Sequence, residues 1–171
     1  MCLIVEHAHL LKENKELSAE IERFRAQYEP ELPSGYNTFD VAWFNIVNEL
    51  KELGIECMLK VKHVPDALIR FTDEEGWRAI VPFLTFPGEY YVEGVSDCDD
   101  YARWATADSS KKFKINGCLE CWGKIPEPHA FNLVRIAPGE YRLFEPNAAF
   151  AWAGELFEFG AHNYFSEYWR L

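Results

Sequence analysis

The stretch Glu29-Pro30-Glu31-Leu32-Pro33-Ser34-Gly35 constrains the fold of this chain more than any other. Two prolines and a glycine within seven residues cannot continue a helix, because proline lacks an N–H donor and clashes with the preceding turn. The break divides the 171-residue chain into an extension over 1–29, a linker over 30–35 and a body over 36–171. The extension reads as one helix from about 6 to 28. Leu3, Leu10, Leu17 and Phe24 recur every seven residues, and His7, Asn14, Ile21 and Tyr28 form a second row. Together the rows alternate four and three apart, the a/d seam of a short coiled coil, with Asn14 as a polar register residue. Two burials are open to such a seam: a homodimer or other partner through residues 3–28, or packing on the chain's own domain.

The body is long enough for one compact domain with its own core. Hydrophobic residues make up 49% of the chain and charged residues 26%, a globular balance. Aromatics at 16% imply a dense core or a ring-lined groove. The formal net charge of −11 has no basic stripe against it, which argues against a nucleic-acid partner. No apolar run approaches the roughly 20 residues that cross a bilayer, so no membrane segment is expected. The start, Met1-Cys2-Leu3-Ile4-Val5-Glu6-His7, lacks the basic region of a signal peptide. Five irregularly placed cysteines do not form a secreted disulfide framework and imply free thiols in a reducing, cytoplasmic setting.

Along the body, residues 38–53 read as a helix with Phe39, Trp43, Ile46, Val47 and Leu50 on one face and Gly54 at its end. Ile55 to Val61 alternates like a strand. Asp73 to Ile80 reads as a short helix capped by Thr72, followed by a Pro/Gly-marked loop from Phe83 to Tyr91. A further helix spans 97–108. Two strands, His129–Ile136 and Tyr141–Glu145, are joined across Ala137-Pro138-Gly139-Glu140.

The most informative block is Val95-Ser96-Asp97-Cys98-Asp99-Asp100-Tyr101-Ala102. Ser96 or Asp97 can cap the helix, with a carboxylate three residues later completing a box. Cys98 then falls in the first turn, where free N–H groups and the helix dipole lower a thiol's pKa from about 8.5 toward roughly 3.5–7.5. The same N–H groups offer an oxyanion site. Tyr101, Ala102 and Ala105 share the face of Cys98, mostly small beyond the ring, so the helix can lie close to a sheet. His129 opens an apolar strand and supplies an imidazole for the thiol, and Glu145 or Asn147 at the end of the next strand can hold the ring's tautomer. Cys118-Leu119-Glu120-Cys121 has metal-like spacing but no second pair, and Gly117 and Trp122-Gly123 mark it as a loop with free thiols. His162 is a rival base without a partner motif.

The Cys-Asp-Asp-Tyr-Ala block, the His-Ala block and the Glu-Pro-Asn end resemble the bacterial transglutaminase-like cysteine peptidases. They are also similar to the calcium-dependent cysteine-protease domain of fungal chimeric lectins. The match covers roughly residues 90–150. It implies a papain/transglutaminase-like α+β fold and acyl transfer on a peptide or protein substrate by a cysteine peptidase or amidase, with Cys98 as nucleophile and His129 as base. The alternatives are a transamidase, or a catalytically inactive interaction or assembly protein that keeps the fold. The third member would be Glu145 by the first likeness and Asn147 by the second. The only glutamine, Gln27, lies far upstream, so the papain-type glutamine before the nucleophile is missing; Tyr91 is a candidate substitute as oxyanion donor.

Two conditions follow. Asp97, Asp99 and Asp100 crowd acid around the thiol, so these carboxylates must point away or be neutralised. Ca²⁺ held by Asp99 and Asp100 would do this, whereas the plainer role for both is to complement the helix N-terminus. The hairpin sets the second condition. A regular two-residue loop at Pro138-Gly139 would put His129 on the face of Phe144 rather than of Glu145 and Asn147. The triad therefore requires an irregular loop or a bulge.

Overall fold

A computed structural model of the chain describes residues 11–21, 31–58 and 66–170. It consists of two compact units, residues 1–32 and 33–171. In the first, residues 11–21 are helical (α1), with Leu11, Leu17 and Ile21 more than half exposed. Leu3, His7, Leu10, Phe24 and Tyr28 of the heptad rows lie outside the described residues.

The second unit is a mixed α+β domain. Strand β1 (Thr38–Ala42) leads directly into helix α2 (Trp43–Glu52). The helix expected over 38–53 is thus shortened at its start. Residues 38–42 pair antiparallel with β3 (Leu68–Thr72), and Phe39 stacks against Phe71 with ring centroids 5.5 Å apart. Cross-strand pairing of an aromatic outweighs the helical spacing of Phe39 and Trp43. Gly54 follows α2 with φ +79°, the left-handed conformation glycine adopts at helix ends. Of the strand expected over 55–61, β2 (Glu56–Cys57) is seen, and residues 59–61 lie outside the described residues. Helix α3 (Glu74–Ile80) is capped by Asp73, whose carboxylate accepts from the Gly76 N–H at 2.9 Å. Thr72 is not the cap: it is buried in β3 and donates its hydroxyl to the Asn37 carbonyl at 2.5 Å.

Helix α4 (Cys98–Asp108) is followed by β4 (Cys118–Ile125), β5 (Glu127–Ala137), β6 (Glu140–Phe144) and β7 (Phe165–Arg170). The main sheet runs β2-β7-β4-β5-β6, with β2 parallel to β7 and the other neighbours antiparallel. Two apolar layers cover it. Ile46 and Leu50 of α2 meet Leu119, Cys121, Phe131, Leu133, Leu143 and Trp169 on one face. Trp77, Ile80 and Ala105 of α3 and α4 meet Cys118, Val134, Ile136 and Phe144 on the other. Cys118 and Cys121 therefore lie in a strand, not a loop. Three residues apart on a pleat, they point to opposite faces, so they form neither a disulfide nor half of a metal site. Burial pushes both thiols up to about 12.

Two irregularities in the sheet shape its open end. The β5–β6 ladder pairs Ala137 with Glu140 across Pro138-Gly139, then skips one residue, so that Arg135 pairs with Tyr141 and Asn132 with Phe144. Ile136 is the extra residue of a bulge. A Pro-Gly turn with Gly139 at φ +72° matches strand twist poorly, and the bulge next to it absorbs the mismatch. The β4–β7 ladder shifts between Trp122 and Gly123, and there the Phe165 carbonyl occupies the place a Cβ on Gly123 would take.

Candidate active site

The site is assembled at the start of α4 and the open end of the β5–β6 hairpin. Asp97 is the N-cap of α4, and the Asp100 carboxylate accepts from its backbone N–H at 3.4 Å. Cys98 is the first helical residue and is half-buried. Tyr101, one turn on, is fully buried and donates its hydroxyl to the Pro87 carbonyl at 2.7 Å, which ties the loop before Cys98 to the helix that carries it. Asn132 of β5 donates to the Ala102 carbonyl at 2.9 Å and to the Leu119 carbonyl at 3.3 Å. That amide anchors α4 to the sheet and so fixes where Cys98 projects.

The bulge at Ile136 decides which residues face His129. With Asn132 opposite Phe144, the ladder extrapolates to place Glu145 opposite Phe131 and Asn147 opposite His129, all on one face. His129 Nε2 lies 2.7 Å from Glu145 Oε2, with their side chains 10% and 1% exposed. An ionised carboxylate only accepts, so Nε2 carries the proton, and Nδ1 is the nitrogen left to take one from a thiol. Cys98 lies close enough to act on the same imidazole. Burial works against charging the ring, but the interactions with Cys98 and with the Glu145 carboxylate outweigh it, pushing His129 up to about 9. Phe131, Phe150 and Tyr164 surround the ring at centroid distances of 6.1, 5.4 and 5.9 Å.

Asn147 is hydrogen-bonded within its own turn. Its Oδ1 accepts from the Ala149 N–H at 2.9 Å, capping a turn, while its own backbone N–H donates to Glu145 Oε1 at 2.9 Å. It thus supports the carboxylate through the main chain. Tyr91 lies close enough to the thiol for the Cys98 charge to act on it: burial first, then the charges of Cys98, Asp97 and Glu93, raise its phenol pKa. Among the described residues His162 sits in another role, stacked flat on Trp152 at 4.4 Å.

The acid around Cys98 has a countercharge. Arg103 donates to Asp99 at 2.7 Å and Asp100 at 2.8 Å, and reaches Glu120 at 3.8 Å. The Asp97 and Asp99 carboxylates lie close together, and their interaction raises the pKa of Asp97 and lowers that of Asp99; burial opposes the lowering and Arg103 supports it. Asp97, Asp99 and Asp100 lie close enough together to hold an ion, but a guanidinium already serves two of these carboxylates and Ca²⁺ requires 6–8 oxygen ligands. Glu120, buried, also accepts from Nε and Nη2 of Arg170 at 2.8 Å each, with Arg170 lying over the Trp122 ring. The ion-pair series connects the first turns of α4 to β4 and β7. Arg103, Tyr164, whose hydroxyl donates to Glu145 Oε2, and Trp152, which donates to that hydroxyl, are participants that sequence reading missed. Of these, Arg103 alone had a local signal, its position three and four residues after the two aspartates.

No family model and no curated protein matches the chain. A solved structure described as the PSL1a-E64 complex is similar at 19% identity and a TM-score of 0.54, covering 76% of this chain. The chain spans about half the length of that structure. The likeness extends to an α+β fold, and no helix among the described residues is long and apolar enough to cross a membrane.

Proposed function

We propose that this chain is a cysteine peptidase or amidase of papain/transglutaminase-like arrangement, with Cys98 as nucleophile, His129 as acid–base and Glu145 as the group that orients the imidazole. The observation that carries the reading is the 2.7 Å contact between His129 Nε2 and Glu145 Oε2. It leaves Nδ1 for a cysteine placed at the first turn of a helix. In the reaction, the Cys98 proton passes to Nδ1 as sulfur attacks the amide carbonyl carbon. The imidazolium then protonates the departing amine as the C–N bond breaks, leaving a thioester. Water, deprotonated by the neutral ring, attacks the thioester carbon, and the proton returns to sulfur as the acid leaves. The helix N–H groups at Cys98 and the Tyr91 phenol supply the donors for the oxyanion.

The structural neighbour is a complex with E64, which motivates that compound as a probe here. Cys98, Cys118 and Cys121 are not joined in disulfides, which supports a reducing, cytoplasmic setting. The test is iodoacetamide alkylation read at each cysteine by peptide mass spectrometry across pH. Cys98 reacts fastest from pH 6 upward, His129→Ala slows it, and preincubation with E64 protects it. Equal rates at Cys98 and half-buried Cys57 would leave the fold as an inert scaffold and overturn the reading.

A further inference from the structure

Glu145 Oε2 serves two donors. Besides His129 Nε2, it accepts from the Tyr164 hydroxyl at 2.7 Å. Tyr164 is fully buried just before β7, and its hydroxyl oxygen lies 3.3 Å from Trp152 Nε1. An indole N–H can only donate, so Tyr164 must accept from Trp152, and its single proton has one destination, the carboxylate. Accepting from Trp152 also polarises the phenol and makes it a stronger donor. The direction of the whole chain is thereby fixed: Trp152 donates to Tyr164, Tyr164 to Glu145, and His129 donates to the same oxygen from the other side. Burial and the Glu145 charge raise the phenol's pKa further above its ordinary value, so it stays a neutral donor.

We propose that Tyr164 is a positioning residue of this site, whose hydroxyl, oriented by Trp152, divides the charge of Glu145 Oε2 between itself and His129. This rests on the acid–base role proposed above for His129. The step that needs it is proton delivery to the leaving amine. An imidazolium facing an undivided carboxylate holds its proton too tightly to deliver it at neutral pH. The second oxygen is moderated in the same way by the Asn147 N–H. The charged groups acting on His129 are Cys98 at the start of α4 and Glu145 after β6. Its remaining ring neighbours, Phe131, Phe150 and Tyr164, are uncharged. Removing the Tyr164 hydroxyl therefore acts on His129 through Glu145.

The test is the NMR titration of the His129 Cε1–H in wild type, Tyr164→Phe and Trp152→Phe, with Cys98 alkylation measured on the same samples. Phenylalanine keeps the ring that packs edge-on to Phe131 and Phe157 at 4.9 Å and removes one donor. The His129 midpoint rises by about one pH unit in Tyr164→Phe. It rises by a smaller amount in Trp152→Phe, which retains the hydroxyl and serves if the first variant does not fold. An unchanged or lowered midpoint in the folded variants, with melting temperature alone reduced, would make Tyr164 a packing residue and overturn the proposal. Wild-type alkylation stands apart from this comparison: a sluggish Cys98 there refutes the enzymatic reading, whatever the His129 midpoints show.

Discussion

Glu145→Gln separates the charge of the third residue from its shape. The glutamine side chain still presents an oxygen to Nε2 but no longer favours the imidazolium by its charge. In the wild-type protein His129 stands at about 9 against an ordinary 6.5, so the folded state binds this proton more tightly by about 2.5 units, or ~3 kcal/mol. Because the folded pKa lies above the unfolded one, that stabilisation is fully present below about pH 6.5 and is lost as pH rises through about 9. Burial opposes the charged ring, so Cys98 and Glu145 together supply more than the net shift. Losing the charged partner lowers the His129 midpoint by about one to two units and shrinks the pH-dependent loss by roughly 1.4–2.7 kcal/mol. A separate, pH-independent cost of about 1–3 kcal/mol comes from the hydrogen bonds of Tyr164 and Asn147 that no longer end on a carboxylate. Urea unfolding between pH 6 and 9.5, with Cys98→Ala run alongside to subtract the thiol's share, measures both. Parallel stability curves for wild type and Glu145→Gln, displaced by a constant amount, would refute the electrostatic account of the His129–Glu145 pair.

Asn147→Ala removes the cap on Ala149 and lowers stability by about 1 kcal/mol in thermal melts. It leaves Cys98 alkylation within about twofold of wild type, since the Asn147 side chain does not orient the ring. Arg103→Gln strips Asp99 and Asp100 of their partner and slows Cys98 alkylation at pH 7 several-fold at low ionic strength, a difference that narrows in high salt. Adding Ca²⁺ to that variant restores part of the rate if a divalent ion can replace the guanidinium, a comparison made directly by repeating the labelling with chelator. Gly123→Ala forces β7 away from β4 and destabilises the domain by about 3 kcal/mol, read from the shift in urea midpoint.

Where short-range pattern and structure agree, the reason is local physics. Asp97-Cys98-Asp99-Asp100 carries its own cap, so a helix beginning at Cys98 was legible. The apolar run after His129 is buried on both faces, as the central strand of a covered sheet must be. The condition on the hairpin was legible too, since strand parity alone rules out a regular ladder if His129 is to face Glu145. Its solution at Ile136 was not, because a bulge answers to the twist of two strands. Cys118–Cys121 was misread for a related reason. Glycines on either side suggest a loop, yet Gly117 and Gly123 mark close approaches of the Arg70 and Phe165 carbonyls to a buried strand. Strand β1 was hidden because Phe39 and Trp43 keep the four-residue spacing of the helix that follows. Tyr164 and Trp152 carry no local signal of a polar role; only the tertiary fold brings the Tyr164 hydroxyl to Glu145 and the Trp152 indole to that hydroxyl.

The bulge at Ile136 makes the site depend on counting as well as on chemistry. Each residue added to or removed from that hairpin reverses the phase of the two strands, exchanging inward for outward positions without altering a single side chain. Deleting one residue there would present Phe144 to the imidazole and turn the carboxylate toward the opposite face. Among related chains, the length of this segment would therefore carry as much information about function as the identity of the three residues themselves. A copy that keeps cysteine, histidine and glutamate but has lost the extra residue would have the parts of the site in the wrong phase to meet.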